Sequence, residues 1–522
     1  MGIPPSPTPD GTWILGKARA VCAAIAMCTA LAGALLLVGV GAAFAADDSP
    51  RVGSTAIDIS SSADAPSTIV AVGPAGTPGL TLDDCVRIAR EQNPALTGER
   101  FRAGEVKGLA YQTVSEAMPT LDLVGSWNRS RDPSFALDST FGGGDSAGSD
   151  SVDSLYSSFI PAPEDIAAQS FWRASLNANW EINPGRIYNA VRGIGLQLKQ
   201  QETVIEDTEH AVVLEVLRAY DAVRVAGEEL SALDSEIAAR REFLEISRRR
   251  LQLELATTLD TLQAAVSLAN LEPDRRSAET RLRDAGATLN TLLGRDPYDP
   301  IAVESNDDAE LSGFPSTPGT IGEPLDRRLD LVEKRREIEI LRKTRGARKS
   351  RGRPYFNLAG SYGYVGRDLD TIADKGHDFW SASVSLTVPL FSGLMVHGQV
   401  HETEAAIRRA ETELADAVRK AQAEVERIRG ELVAAKANRK AAELNLAQSE
   451  LLVSQITRRY EVGKAEYLEV LNAQSERFRA RSQVIGARSE VFLRGAELKR
   501  ALGYDPSIPF DQLPGMDREE AR

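Results

Sequence analysis

Four stretches of this chain occur twice, in the same order. Pro119-Thr120-Leu121-Asp122-Leu123-Val124-Gly125-Ser126-Trp127 matches Pro354-Tyr355-Phe356-Asn357-Leu358-Ala359-Gly360-Ser361-Tyr362. Phe171-Trp172-Arg173-Ala174-Ser175 matches Phe379-Trp380-Ser381-Ala382-Ser383. Thr258-Leu259-Asp260-Thr261-Leu262 aligns with Tyr467-Leu468-Glu469-Val470-Leu471, and Leu293-Gly294-Arg295-Asp296-Pro297 with Leu502-Gly503-Tyr504-Asp505-Pro506. The last three matches share nearly one offset. The first has a larger one, so the halves differ in length between residues 130 and 171. A duplicated chain builds one supersecondary unit twice. Each copy reads helix, strand, loop, strand, very long helix, turn, helix.

One strand of each copy alternates cleanly. Trp172, Ala174, Leu176, Ala178, Trp180 and Ile182 are separated by Arg173, Ser175, Asn177, Asn179 and Glu181. Trp380, Ala382, Val384, Leu386, Val388 and Leu390 alternate with Ser381, Ser383, Ser385 and Thr387. Successive strand side chains point to opposite faces, so each segment has an apolar and a polar face. Each runs about ten residues, the length a tilted strand needs to cross a bilayer. The segments from Leu121 and Phe356 alternate less cleanly, but carry Trp127, Tyr362 and Tyr364 toward their far ends, where interfacial aromatics belong. A soluble half-buried sheet would show the same alternation. The export signal and the helices favour the membrane. Four strands per chain cannot close a barrel, and an open sheet leaves unpaired backbone in lipid. Copies of the chain must therefore pool strands.

The helices are equally constrained. No proline falls between Pro389 and Pro506. Leu414, Val418, Ala421, Val425, Ile428, Leu432 and Ala435 step by four and three, and Ala442, Leu446, Ser449, Val453, Ile456 and Tyr460 resume the pattern. That is a heptad seam. A helix from about Leu394 to Tyr460 would be on the order of 100 Å long, and residues 186 to 253 offer a similar run. Turns are expected at 254–258 and 461–466, with Gly463 as breaker in the second. Shorter return helices end at Leu293-Gly294 and Leu502-Gly503.

At the N-terminus, Lys17 and Arg19 precede an uncharged run ending in Ala43-Phe44-Ala45. Basic flank, apolar stretch and small-x-small site read as a secretory signal peptide over 1–45; the run is also long enough for a membrane anchor. Cys22 and Cys28 lack the small preceding residue that lipid modification requires. Only Cys85 would remain after cleavage, so no internal disulfide is expected. The organisation that follows is a flexible leader at 46–79, a first repeat at 80–300, a linker at 301–326, a second repeat at 327–506 and a tail at 507–522. The 131–170 connection is rich in Ser, Gly and Asp, including Asp132, Asp138, Asp145, Asp150, Asp153 and Asp165. Its counterpart, about 366–378, is much shorter. Long polar loops lie outside an outer-membrane barrel.

A net charge of −14 argues against a nucleic-acid partner. Gly144-Asp145-Ser146-Ala147-Gly148 spells an esterase elbow but lacks the strand-to-helix setting. His397 and His401, with Glu402 beside them, lack a third ligand. No metal or cofactor is expected, and no phosphate-binding loop supplies energy, so partners must. The dense run Arg342, Lys343, Arg345, Arg348, Lys349, Arg351 and Arg353 immediately precedes a membrane strand. Contact with anionic headgroups is expected; a lumen-lining basic ring is the rival.

The opening Leu80-Thr81-Leu82-Asp83-Asp84-Cys85 with Asn93-Pro94, the junction Pro389-Leu390-Phe391-Ser392-Gly393, and the turn from Tyr460-Glu461-Val462-Gly463-Lys464 to Leu471 resemble the TolC-like family of outer-membrane efflux proteins. The resemblance spans about residues 80–506. It implies a mainly α fold with a transmembrane β-barrel. Four strands per chain would contribute to a 12-strand trimeric barrel, continued by long antiparallel coiled-coil helices as a periplasmic tunnel. It implies no catalysis. The implied partners are two further copies, outer-membrane lipid, a periplasmic adaptor and an inner-membrane pump or secretion ATPase. By resemblance, Glu469 and Asn472 occupy the entrance constriction, the second without its acidic charge, and Tyr460 a closed-state latch. Val462, Gly463, Lys464 and Leu468, with Thr257, Thr258 and Asp260 of the glycine-less first turn, would meet the adaptor. The alternative is a periplasmic coiled-coil adaptor without a channel, but adaptors usually pair one hairpin with a lipoyl-like β domain.

Overall fold

The computed structural model describes residues 68–72, 79–130, 168–254, 257–305, 325–367 and 376–510. The signal-peptide segment 1–45, the Ser146 motif and most of the 131–170 connection lie outside the described residues. The elements are β1 (Thr68–Val72), α1 (Leu82–Gln92), α2 (Pro94–Ser115), β2 (Thr120–Ser130), β3 (Gln169–Ile182) and α3 (Pro184–Gln252). Then come α4 (Thr258–Ala269), α5 (Leu271–Leu292), β4 (Ile301–Ser305), α6 (Leu329–Ser350), β5 (Tyr355–Gly366), β6 (Asp378–Thr387), α7 (Met395–Glu461) and α8 (Tyr467–Ala501).

The four expected strands form one antiparallel sheet in the order β2-β3-β5-β6. Its register gathers the apolar positions on one side, because directly paired residues share a face. Leu123 lies opposite Leu176, Leu176 opposite Tyr362, and Tyr362 opposite Trp380. At one end Trp127 and Trp172 meet with ring centroids 6.2 Å apart. This face has no cover: Leu123 is 79% exposed and Trp380 75%. The other face carries Ser361 and Ser381, whose hydroxyls are 2.7 Å apart. β6 stops at Thr387, so Val388 and Leu390 lie past the strand rather than in it. Pro389 explains this, having no N–H for the ladder.

Each strand runs into a helix, and the helices keep the strands' lateral order. α2 packs on α3, α3 on α6, and α6 on α7. α3 has 69 residues and α7 has 67. At 1.5 Å per residue each is about 100 Å long. The heptad seam of α7 is where the sequence put it: Ala421, Val425, Ile428, Leu432, Ala435, Ser449 and Tyr460 are buried, and Val418, Leu446 and Ile456 are half-buried. Burying one such Leu or Ile contributes about 1.5–3 kcal/mol, so the rods hold each other along their length. Asn93 caps α2, its Oδ1 accepting from Ala95 N–H at 2.9 Å, with Pro94 at the first helical position. Asn93 therefore ends α1 and starts α2. The return helices differ between copies: α8 is continuous, whereas Asn270 separates α4 from α5.

Three stretches differ from the sequence expectation. Thr68–Val72, inside the expected flexible leader, pairs antiparallel with Ile301–Ser305, at the start of the expected linker. Both are short β-branched runs, and Ile301, Ala302 and Val303 are at most 1% exposed in a core with Cys85, Ala89, Leu217 and Leu289. Burial pushes the Cys85 thiol up to about 12, so it is an inert core residue. The start of the expected tail is packed as well, with Phe510 buried against Leu498 and Leu502. Among the described residues no helix is long and apolar enough to cross a membrane.

Candidate functional site

The hairpins α3–α4 and α7–α8 end together, away from the sheet. α7 closes in a Schellman turn. Gly463, at φ 74°, donates from its N–H to Tyr460 O at 2.9 Å, and Lys464 N–H reaches Arg459 O at 2.8 Å. α8 then starts from Glu466, whose N–H donates to Glu469 Oε1 at 3.5 Å. α3 ends differently. Glu254 takes the left-handed position at φ 60°, donating to Leu251 O at 3.0 Å. Thr257 and Asp260 then form a reciprocal capping box: Asp260 N–H to Thr257 Oγ1 at 3.2 Å and Thr257 N–H to Asp260 Oδ2 at 2.9 Å. Leu255 and Ala256 lie outside the described residues.

A small core ties the hairpins together. Phe243 of α3 packs between Tyr460 and Tyr467, at ring-centroid distances of 5.0 and 5.5 Å. Leu244, Ala264 and Val470 complete it. The Arg250 guanidinium lies 4.4 Å over the Tyr460 ring and also donates to the Tyr460 carbonyl. Tyr460, the expected latch residue, is thus buried at the junction of the hairpins, and its hydroxyl has no hydrogen-bond partner among the described residues. Glu469 and Asn472 are exposed, three residues apart on α8 and so on one face. Asn472 also borders an open cleft with Arg240, Asn270, Asp274 and Arg479. Val462 and Leu468 are exposed apolar side chains; Gly463, Lys464, Thr257 and Thr258 are exposed and Asp260 half-buried.

Sequence reasoning missed the charged ties above this core. Glu236 is 2% exposed and bridges helices: Arg240 Nε and Arg477 Nη2 each donate to it at 2.8 Å, from α3 and α8. Higher still, Arg218 of α3 donates to Glu497 of α8 at 2.8 Å. The available signal was a carboxylate at a core position, with Glu236 four residues from Ala232 and seven from Phe243. What it pairs with was not legible locally.

At the sheet end, the basic run is largely engaged with α7. Arg342 pairs with Glu411 at 2.9 Å, Arg348 with Glu402 at 3.0 Å and Arg345 with Glu404 at 3.7 Å. Arg351 reaches Gln399 Oε1 at 3.5 Å, while Lys349 and Arg353 are exposed. His397 and His401 are exposed on α7, and Glu402 is held by Arg348 rather than turned toward them.

An uncovered apolar sheet continued by paired rods that meet in a tip is the build of an outer-membrane channel subunit. The chain belongs to the outer membrane efflux protein family, whose sequence profile matches residues 86–295 and 320–504. It is similar to the outer membrane protein TolC of Vibrio cholerae, at 22% identity over 335 residues, covering 63% of this chain and 76% of that one. It is also similar to the outer membrane protein OprJ of Pseudomonas aeruginosa, at 26% over 333 residues, covering 61% and 67%. The open state of the Neisseria gonorrhoeae MtrE outer membrane channel superposes with a TM-score of 0.68 at 17% identity, covering 86% of this chain and 97% of that one. The family is one of transport channels rather than enzymes, and it resides in the outer membrane, reaching into the periplasm. This answers the adaptor alternative.

Proposed function

We propose that three copies of the chain close a twelve-strand barrel and a helical tunnel, and that the tip is its periplasmic entrance. The observation that carries this is the pair of open edges. The outer edges of β2 and β6 have no partner among the described residues, and beneath them stand exposed Phe101 and Tyr111 on α2 and exposed Leu390, Phe391 and Leu394 before α7. Unpaired edges in lipid are heavily penalised. Head-to-tail pairing of β6 with the β2 of the next copy removes them, and it closes a ring when the rotation permits. Solutes pass without chemistry, and energy comes from an inner-membrane pump or secretion ATPase through an adaptor.

The adaptor would grip the exposed turn residues Val462, Gly463, Lys464 and Leu468 on one hairpin and Thr257, Thr258 and Asp260 on the other. Glu469 would line the entrance with Asn472, where three carboxylates around one axis gather cations. Glu469→Gln is a clean test, because Gln at this helix position can still accept the Glu466 N–H. The expected result is weaker block of single-channel current by multivalent cations, with the oligomer intact. Unchanged block would remove Glu469 from the constriction. Detergent-purified protein running as a monomer without conductance would sink the tunnel itself.

A further inference from the structure

The seven-residue basic run is divided between faces of the helical layer. Arg348 of α6 and Arg351 just past its end line a pocket with Arg186, Asn189 and Gln197 of α3 and Glu116 beyond α2. That pocket lies on the polar side of the sheet, since Arg186 sits 3.4 Å from Glu181, a polar-face residue of β3. It is charge-balanced: Arg186 also lies 3.6 Å from Glu116, and Arg348 is paired with Glu402. Two residues past Arg186, about 200° round the helix, Tyr188 points to the opposite side, beneath the apolar face.

Tyr188 is 57% exposed. Its ring is flanked by two cations, Arg192 from its own helix at 5.9 Å and Lys343 from α6 at 5.8 Å. Lys349 is exposed about 200° round α6 from the pocket-lining Ala347, so it lies on this side too. Arg192, Lys343 and Lys349 make no ion pair among the described residues. Tyr188 falls four residues into α3, about 6 Å below its start, and polar headgroups occupy roughly the first 5–7 Å beyond the hydrocarbon. Arg192 and Lys343, a turn or more lower, have stems long enough to snorkel upward.

We propose that Tyr188, Arg192 and Lys343, with Lys349 above them, bind the phosphate headgroup of an anionic phospholipid in the periplasmic leaflet of the outer membrane. The ring caps the glycerol region and the two cations straddle the phosphodiester. This site rests on the outer-membrane placement and replaces a diffuse basic cluster by a defined one. Arg342, Arg345 and Arg348, already held by α7 carboxylates, take no part.

The test is native mass spectrometry of the full-length protein in maltoside micelles, titrated with phosphatidylglycerol or phosphatidylcholine. Wild type binds phosphatidylglycerol preferentially. At about 1 kcal/mol per basic residue, Arg192→Gln with Lys343→Gln weakens that binding about thirtyfold; Lys343→Gln alone does so about fivefold, and Arg348→Gln with Arg351→Gln leaves it unchanged. Wild-type binding in the Arg192/Lys343 variant, or an equal loss in the Arg348/Arg351 variant, overturns the site. Displacement of the lipid by millimolar inorganic phosphate overturns the lipid as its ligand. Planar-bilayer conductance of the same preparations reports separately on the channel, so failure of the lipid site and failure of the tunnel are distinguishable.

Discussion

The two hairpin tips solve one problem with opposite choices. Each long helix must stop and reverse, and among the described residues each does so through one left-handed residue. In the second hairpin that residue is Gly463, at φ 74°. In the first it is Glu254, at φ 60°. A residue with a Cβ costs about 1 kcal/mol more in this conformation than glycine. The first hairpin offsets this at its next helix, where the Thr257–Asp260 box closes at 2.9 and 3.2 Å. The second relaxes its exit, and its next helix starts with a looser box of its own between Glu466 and Glu469, the Glu466 N–H donating at 3.5 Å. A duplicated turn therefore does not imply a duplicated energetic solution. The tips are also unequal in dependence, because Phe243 and Arg250 of the first hairpin brace Tyr460 of the second.

The largest effect is expected from Phe243→Ala, which empties the space between Tyr460 and Tyr467. It should cost about 3 kcal/mol and raise amide exchange at both tips, so loosening confined to the first tip would break the dependence. Arg250→Ala should cost about 2 kcal/mol by removing a charged donor and a ring contact. Here exchange should rise in residues 458–464 and much less in 257–262. Gly463→Ala should cost about 1 kcal/mol. An added Cβ would stand 3.9 Å from Arg250 Nη2, an ordinary contact, so the penalty is conformational. Glu254→Gly should gain several tenths of a kcal/mol in thermal unfolding. If both glycine changes were neutral, the contrast between the turns would be illusory.

The smallest effect is acid sensitivity above the tips. Burial pushes Glu497 up, but hydrogen bonds from Arg218 and Arg494 outweigh it and hold the carboxyl below the usual glutamate value. A lowered carboxyl stabilises above its unfolded pKa, about 4.3. That stabilisation is lost as pH falls through the folded value. Exchange along the α3–α8 contact should therefore rise below about pH 4, and Glu497→Gln should flatten the response. A response centred on Gly463 instead would place the acid-sensitive link at the tip.

What the sequence disclosed was what repeats locally. The heptad seam, the alternating faces and the Gly463 turn are periodic or single-residue signals, and each appears in the fold. The pairing of Thr68–Val72 with Ile301–Ser305 joins two five-residue strands more than 200 positions apart, which no local pattern can specify. The Glu236–Arg477 tie and the Arg250–Tyr460 contact are invisible for the same reason: Arg477 and Arg250 are ordinary surface-type residues until the helices meet, even though Glu236 and Tyr460 stand at core positions. At the tip, the latch role of Tyr460 and the entrance positions of Glu469 and Asn472 came from resemblance, whereas spacing gave only the place of Tyr460 in the seam. At the sheet end, the basic run was read as one patch because its helix had not yet sorted it by face.

The joins between sheet and rods differ as much as the tips. β3 passes into α3 through Asn183 alone, which donates to Ser350 O at 3.0 Å, and the next turn is wedged: a Cβ on Gly185 would lie 2.6 Å from Ser350 Oγ. β6 reaches α7 through a longer stretch ending in two left-handed residues, Gly393 at φ 61° and Leu394 at φ 67°. One rod is mortised to the sheet, while the other, two places along the layer, meets its strand over a jointed strap. The two rods are therefore oriented by different means: α3 by its own junction with the sheet, and α7 by its pairing with α6 through Arg342–Glu411 and Arg348–Glu402.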